Sequence, residues 1–141
     1  MDINIEFARK TSLAYNMTCK SLCQELKLPQ TAFDILMFLA NNPEFRTARD
    51  IVEIRKLKAN LVSVNVDKLV RDGYLKRQAI EGDRRKTELL CTEKAQPIIA
   101  RGQQLQQTFI NRLLSGLDDE TRQKFMEILS IMNQNLDDIL K

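Results

Sequence analysis

Residues 58–92 read KANLVSVNVDKLVRDGYLKRQAIEGDRRKTELLCT, and the hydrophobic period changes midway through them. In the first half Val62, Val66, Leu69 and Val70 stand at i, i+4, i+7 and i+8, the spacing of one helix face. The β-branched content alone would suit a strand. Helical spacing and Gly73, placed where a C′ glycine ends a helix, decide for a helix over about 58–72. Beyond it, Tyr74–Ile80 and Lys86–Thr92 read as two strands joined by 81–85, with turn chemistry at Gly82-Asp83. This hairpin is the only β signal in the sequence.

Upstream, Thr47-Ala-Arg-Asp50 fits a capping box before Ile51, Val52 and Ile54, so a short helix is expected there. Pro29 suits a helix first turn, and the TAFDILMFLA that follows is apolar nearly all round, the composition of a buried helix ended by Asn41-Asn42-Pro43. Before it, Ile5, Ala8, Ser12, Tyr15, Cys19, Leu22 and Leu26 form one stripe of a long first helix, widened by Leu13, Met17 and Cys23. Downstream, Thr92 can cap a helix running to about Ser115, with Pro97 near its first turn. Asp118 caps a last helix carrying Phe125, Ile128, Leu129, Met132, Leu136 and Ile139. Three short helices and a hairpin in this order make a winged helix-turn-helix whose third helix would lie in the DNA major groove. The long first and last helices fall outside that unit and need a partner surface to bury their stripes.

The chain has 141 residues, which suits one domain, and a net charge of only +3 from 22 basic and 19 acidic residues. No apolar run approaches the roughly 18 residues of a membrane span. MDINIEFARK places charges where a secretory segment would be apolar, so a cytoplasmic protein with no membrane partner is expected. The absence of histidine excludes Ser-His-Asp and Cys-His catalysis and HExxH zinc sites. Four glycines form no phosphate-binding fingerprint. Asp118-Asp119 and Asp137-Asp138 read as helix-terminal and surface acids. No catalytic residue, cofactor or metal site is expected.

The small net charge conceals a polarised chain. Residues 46–86 hold twelve Lys and Arg against six Asp and Glu, a net +6 that leaves −3 for the remainder. A basic window of this kind suits phosphate neutralisation, although a solvated charged face has the same composition. On the helix at 58–72, the face opposite the apolar positions offers Asn60, Ser63, Val64 and Asp67, with Lys58 at its start and Lys68 and Arg71 at its flanks. Asn can pair with adenine, Ser can bond to a base edge or phosphate, and Val64 can pack on a thymine methyl. The same residues could also be ordinary polar surface. At the hairpin, Asp83-Arg84-Arg85-Lys86 forms a basic tip in which an arginine could enter a narrow minor groove and Asp83 could brace a neighbouring guanidinium.

The segment Lys68-Leu69-Val70-Arg71-Asp72-Gly73-Tyr74-Leu75-Lys76-Arg77, followed by Gly82-Asp83-Arg84-Arg85 and Leu89-Leu90-Cys91-Thr92-Glu93-Lys94-Ala95, resembles the MarR family of bacterial transcription regulators. The resemblance spans essentially the whole chain in length and helix order. It implies a mainly α fold with one β-hairpin: a single domain over 1–141 with a DNA-binding lobe at 30–92, and a helical dimerisation lobe from 1–28 and 93–141. It further implies a homodimeric repressor on a pseudo-palindromic operator of double-stranded DNA, released by a small-molecule effector or an oxidant. Carried over by position, Lys58, Asn60, Ser63 and Val64 would face the major groove and Arg84 or Arg85 the minor groove, with Lys68 and Lys86 beside them. The competing reading is a winged helix that docks an acidic protein without binding specific DNA.

Cys19 and Cys23 are one helical turn apart, and relatives in the family that sense peroxide through an N-terminal cysteine make them redox or ligand candidates. Their position on or beside the apolar stripe reads instead as buried, inert thiols. Cys91 reads as a strand-face core residue. Tyr15, Cys19, Met37 and Phe38 are the corresponding candidates for lining an effector pocket, or are simply core.

Overall fold

A computed structural model describes residues 2–141, apart from the side chains of Ile3 and Arg84. The described residues form α1 (Ile3–Leu26), α2 (Gln30–Asn41), α3 (Ala48–Arg55), α4 (Ala59–Arg71), β1 (Leu75–Ile80), β2 (Asp83–Cys91), a 3-10 turn (Glu93–Ala95), α5 (Gln96–Leu113) and α6 (Asp119–Ile139). The molecule is thus mainly helical with one antiparallel hairpin, in winged helix-turn-helix order. Residues divide into two compact units, the first ending at Gln106 and the second covering Gln107–Lys141.

In the first unit the local signals do what their chemistry requires. Thr47 accepts from the Asp50 N–H while Asp50 accepts from the Thr47 N–H, each at 3.1 Å, so both halves of the capping box start α3. α2 buries seven of its residues, including Phe33 and Leu36 at 0% exposure, and packs on α1, α4 and β2. α4 packs on α2 and α3 and buries Val62, Val66 and Leu69. It stops at Gly73, whose φ of 85° only glycine adopts without strain. The Lys94 ammonium then donates to the Asp72 carbonyl at 2.6 Å while lying 4.7 Å from the Tyr74 ring centre, which ties the end of α4 to the start of the next segment.

Two expected boundaries shift. Thr92 does not cap the following helix with its side chain; its hydroxyl donates to the Gly73 carbonyl at 2.6 Å, and a 3-10 turn intervenes before α5. The hairpin loop is also shorter than 81–85, because Ile80 pairs with Asp83 across a turn of only Glu81-Gly82. Ala79 pairs with Thr87, so the register slips between Ala79 and Ile80 and the extra residues of β2 bulge. β2 gains one further bond when the Leu89 N–H donates to the Arg46 carbonyl at 2.6 Å, anchoring the wing on the loop before α3.

α1 ends at Lys27, a non-glycine residue held at φ 56° and ψ 38°, and the next N–H, that of Leu28, closes on the Cys23 carbonyl at 3.0 Å. Left-handed backbone costs an L-residue about 1–2 kcal/mol. Lys27→Gly should therefore stabilise the protein by about 1 kcal/mol, read as a rise of about 4 °C in the melting midpoint. An unchanged or lower midpoint would show that the lysine carries no strain there.

In the second unit, Asp118 caps α6 by accepting from the Thr121 N–H at 2.8 Å, and hydrogen bonding by the Thr121 side chain, with that N–H second, holds its carboxyl below the usual range. Arg122 closes the turn before α6, its guanidinium donating to the Leu114 and Leu117 carbonyls at 3.1 Å each. No residue of α6 is buried.

Candidate nucleic-acid interface

The buried positions of α4 leave Asn60, Val64, Asp67 and Arg71 as the ridge on its opposite side, all exposed, with Ser63 beside them. Val64 is the most protruding apolar group there, at 66% exposure. Lys58, exposed, is the N-cap residue and Lys68, partly exposed, flanks the third turn. The Asn60 carboxamide oxygen accepts from the Leu61 N–H at 2.9 Å, which leaves its NH2 as the group it offers outward. Two-point pairing of Asn60 with adenine would require that bond to break first.

Sequence reasoning missed two features of this helix. Asn65, polar by composition, is 6% exposed and faces inward, its amide donating to the Leu61 carbonyl at 2.9 Å. Asp67 forms an ion pair with Arg77 of β1 and so links α4 to the wing. The first had a local signal, since Asn65 stands three residues after Val62 and four before Leu69 on the buried side of the helix; the second had none, because a partner ten residues away depends on the packing of the hairpin against the helix.

The wing differs from the expected basic tip. Asp83-Arg84-Arg85-Lys86 belongs to β2, and the Asp83 carboxylate accepts from the Arg85 N–H at 3.0 Å. Arg85 and Lys86 are exposed, while the Arg84 side chain lies outside the described residues. At the base of the wing Arg46 donates to the Pro43 carbonyl at 2.7 Å and pairs with Glu88 at 3.6 Å, so this arginine of the basic window positions β2. A cleft of about 380 Å3 opens between α3, α4 and the hairpin, lined by Val52, Val62, Val66 and Leu89 with Arg49 and Arg77 also on its wall.

Cys19 and Cys23 are buried, Cys19 completely. Burial pushes the Cys19 thiol up and the Cys23 thiol up to about 11, the reverse of the stabilised thiolate that peroxide sensing uses. Tyr15 is half-buried and its hydroxyl, which accepts from the Gln106 amide at 2.9 Å, is pushed up to about 12, chiefly by burial. Met37 and Phe38 are core side chains. Cys91 is partly buried and packs on the core, its thiol also raised by burial. Among the described residues no group of three or more Cys, Asp or Glu side chains could hold a metal ion, and no helix is long and apolar enough to cross a membrane.

The family model described as the MarR family matches residues 26–86, the span from the end of α1 into the wing. The HTH-type transcriptional regulator YfiV of Bacillus subtilis (strain 168) is 30% identical over 119 residues, covering 83% of this chain and 71% of that protein. Among solved structures, a MarR transcriptional regulator from Methanosarcina mazei Go1 superposes with a TM-score of 0.81 at 21% identity, over 99% of each chain. A MarR family transcriptional regulator from Listeria monocytogenes, complexed with 26mer DNA, gives 0.78 at 17% identity over 98% of this chain and 91% of that one. At those identities the structures establish the shared fold, while the sequence matches carry the kinship: this chain belongs to the MarR family of transcription regulators.

Proposed function

We propose that the chain binds double-stranded DNA sequence-specifically as a homodimer, occupies a pseudo-palindromic operator and represses transcription until a small ligand releases it. The observation that carries this reading is the solvent-facing ridge of α4 beside the exposed Arg85 and Lys86 of the wing, within a window of net +6. Lys58, Asn60, Ser63 and Val64 would face base edges; Lys68, Arg84, Arg85 and Lys86 would serve phosphates and the minor groove. The exposed apolar residues of α6 and of the first half of α1 support a second copy as their cover, with 30–92 as the reading lobe and 1–28 and 93–141 as the pairing lobe. Raised thiols favour a packing ligand over an oxidant as the releasing signal.

Selection of bound duplexes from a random library should yield an inverted repeat with half-sites about one helical turn apart, bound at about 10 nM or tighter. A library from which no sequence is enriched overturns the proposal. On the selected site, Arg84→Ala with Arg85→Ala should weaken binding about a hundredfold near physiological salt. The slope of log affinity against log salt should fall by about one for each phosphate that the variant no longer neutralises. Unchanged affinity and slope would remove the wing from the interface.

A further inference from the structure

The reading that α4 enters the major groove leaves open which bases it selects, and the ridge itself narrows the choice. From Ala59 to Asp67 the exposed side chains include no lysine or arginine, so Lys58 at the N-cap is the one cation proposed to face base edges. The commonest selector of guanine, a cation paired with its O6 and N7, is therefore missing from these turns. The one acid on the ridge, Asp67, which could accept from the cytosine amino group, is occupied by Arg77. At the centre of the ridge stands Val64, 66% exposed, directly opposite the buried face, and Leu61 beside it is 40% exposed. Asn60 on the same ridge offers a donor to an acceptor edge. Two apolar side chains held out on a surface otherwise built to meet DNA match one group in the major groove, the 5-methyl of thymine.

Resting on the DNA-binding proposal above, we infer that Val64 is a specificity-determining residue that packs on the 5-methyl group of a thymine in each half-site. The test begins from the selected operator and replaces its thymines one at a time by deoxyuridine, which removes the methyl and keeps every hydrogen-bonding group. At one position per half-site the replacement should weaken binding of the wild-type dimer about fourfold, and about fifteenfold when made in both halves, the loss expected for one methyl group left unburied each time. Val64→Ala should bind the thymine operator as weakly as the wild type binds the deoxyuridine one. It should also lose its sensitivity to deoxyuridine at that position alone. Val64 is exposed, and alanine is the better helix former, so the variant should fold. Wild-type indifference to deoxyuridine throughout the half-site overturns the inference and leaves specific DNA binding standing. A full deoxyuridine penalty retained by Val64→Ala also overturns it, by assigning the methyl to another side chain. Failure to select any operator overturns both.

Discussion

Phe33→Ala should lower the stability of the protein by about 3–5 kcal/mol, the largest loss expected from any single side chain in the first unit. Phe33 is completely buried in α2. Its ring lies where α5 comes closest: a Cβ added at Gly102 would stand 3.0 Å from Phe33 Cε2 and would press on the Met37 thioether. The glycine lets the α5 backbone approach α2, and the phenyl ring fills the seam that this approach creates. Truncation removes the ring without letting the seam collapse, because helices on both sides are fixed by other packing, so the cost is a lost transfer free energy plus a cavity. In urea the midpoint should fall by about 2 M at fixed protein concentration with an unchanged slope, while Phe33→Leu should retain more than half of the lost stability. A loss under about 1 kcal/mol would mean that α2 and α5 repack freely.

The parts of the fold that are legible in the sequence are those fixed by neighbours along the chain. Val62, Val66 and Leu69 mark the buried side of α4 because the helical period places them there whatever they pack against. Thr47 with Asp50 and Asp118 with Thr121 form the expected caps for the same local reason. What is not legible depends on partners distant in sequence. Thr92 has the chemistry of an N-cap, but the hairpin brings the Gly73 carbonyl within 2.6 Å and that acceptor takes its hydroxyl. Gly82-Asp83 has turn chemistry, which predicts a basic loop; the slip in pairing after Ala79 that draws Asp83 into β2 leaves no mark in composition. On the candidate interface, exposure of Asn60, Ser63 and Val64 follows from period alone. The Asp67–Arg77 pair requires the hairpin to fold back beside α4.

Replacing Leu129 and Leu136 together by lysine should convert the protein to a monomer and weaken operator binding about a thousandfold. These residues are 37% and 51% exposed and lie seven positions apart on one face of α6, with Phe125, Ile128, Met132 and Ile139 also exposed along that helix. Monomeric proteins rarely leave contiguous apolar surface larger than a few hundred Å2, and no residue of α6 is buried, which is why the proposed dimer places its seam on this helix. Two lysines in such a seam would have to be desolvated in both copies, four charges in all, with like charges facing one another across the symmetry axis. The DNA consequence follows from linkage: a dimer on an inverted repeat engages its second half-site intramolecularly, an advantage of about a hundredfold to ten-thousandfold that a monomer forfeits. Sedimentation at micromolar protein should show half the mass, and the α4 ridge and wing, lying in the first unit, should retain weak binding to a single half-site. A lysine variant that remains a dimer, or a monomer that holds the full operator as tightly as the unmodified protein, would move the pairing surface off α6 and leave the exposed stripe of α1, Ile5, Leu13 and Met17, to supply it.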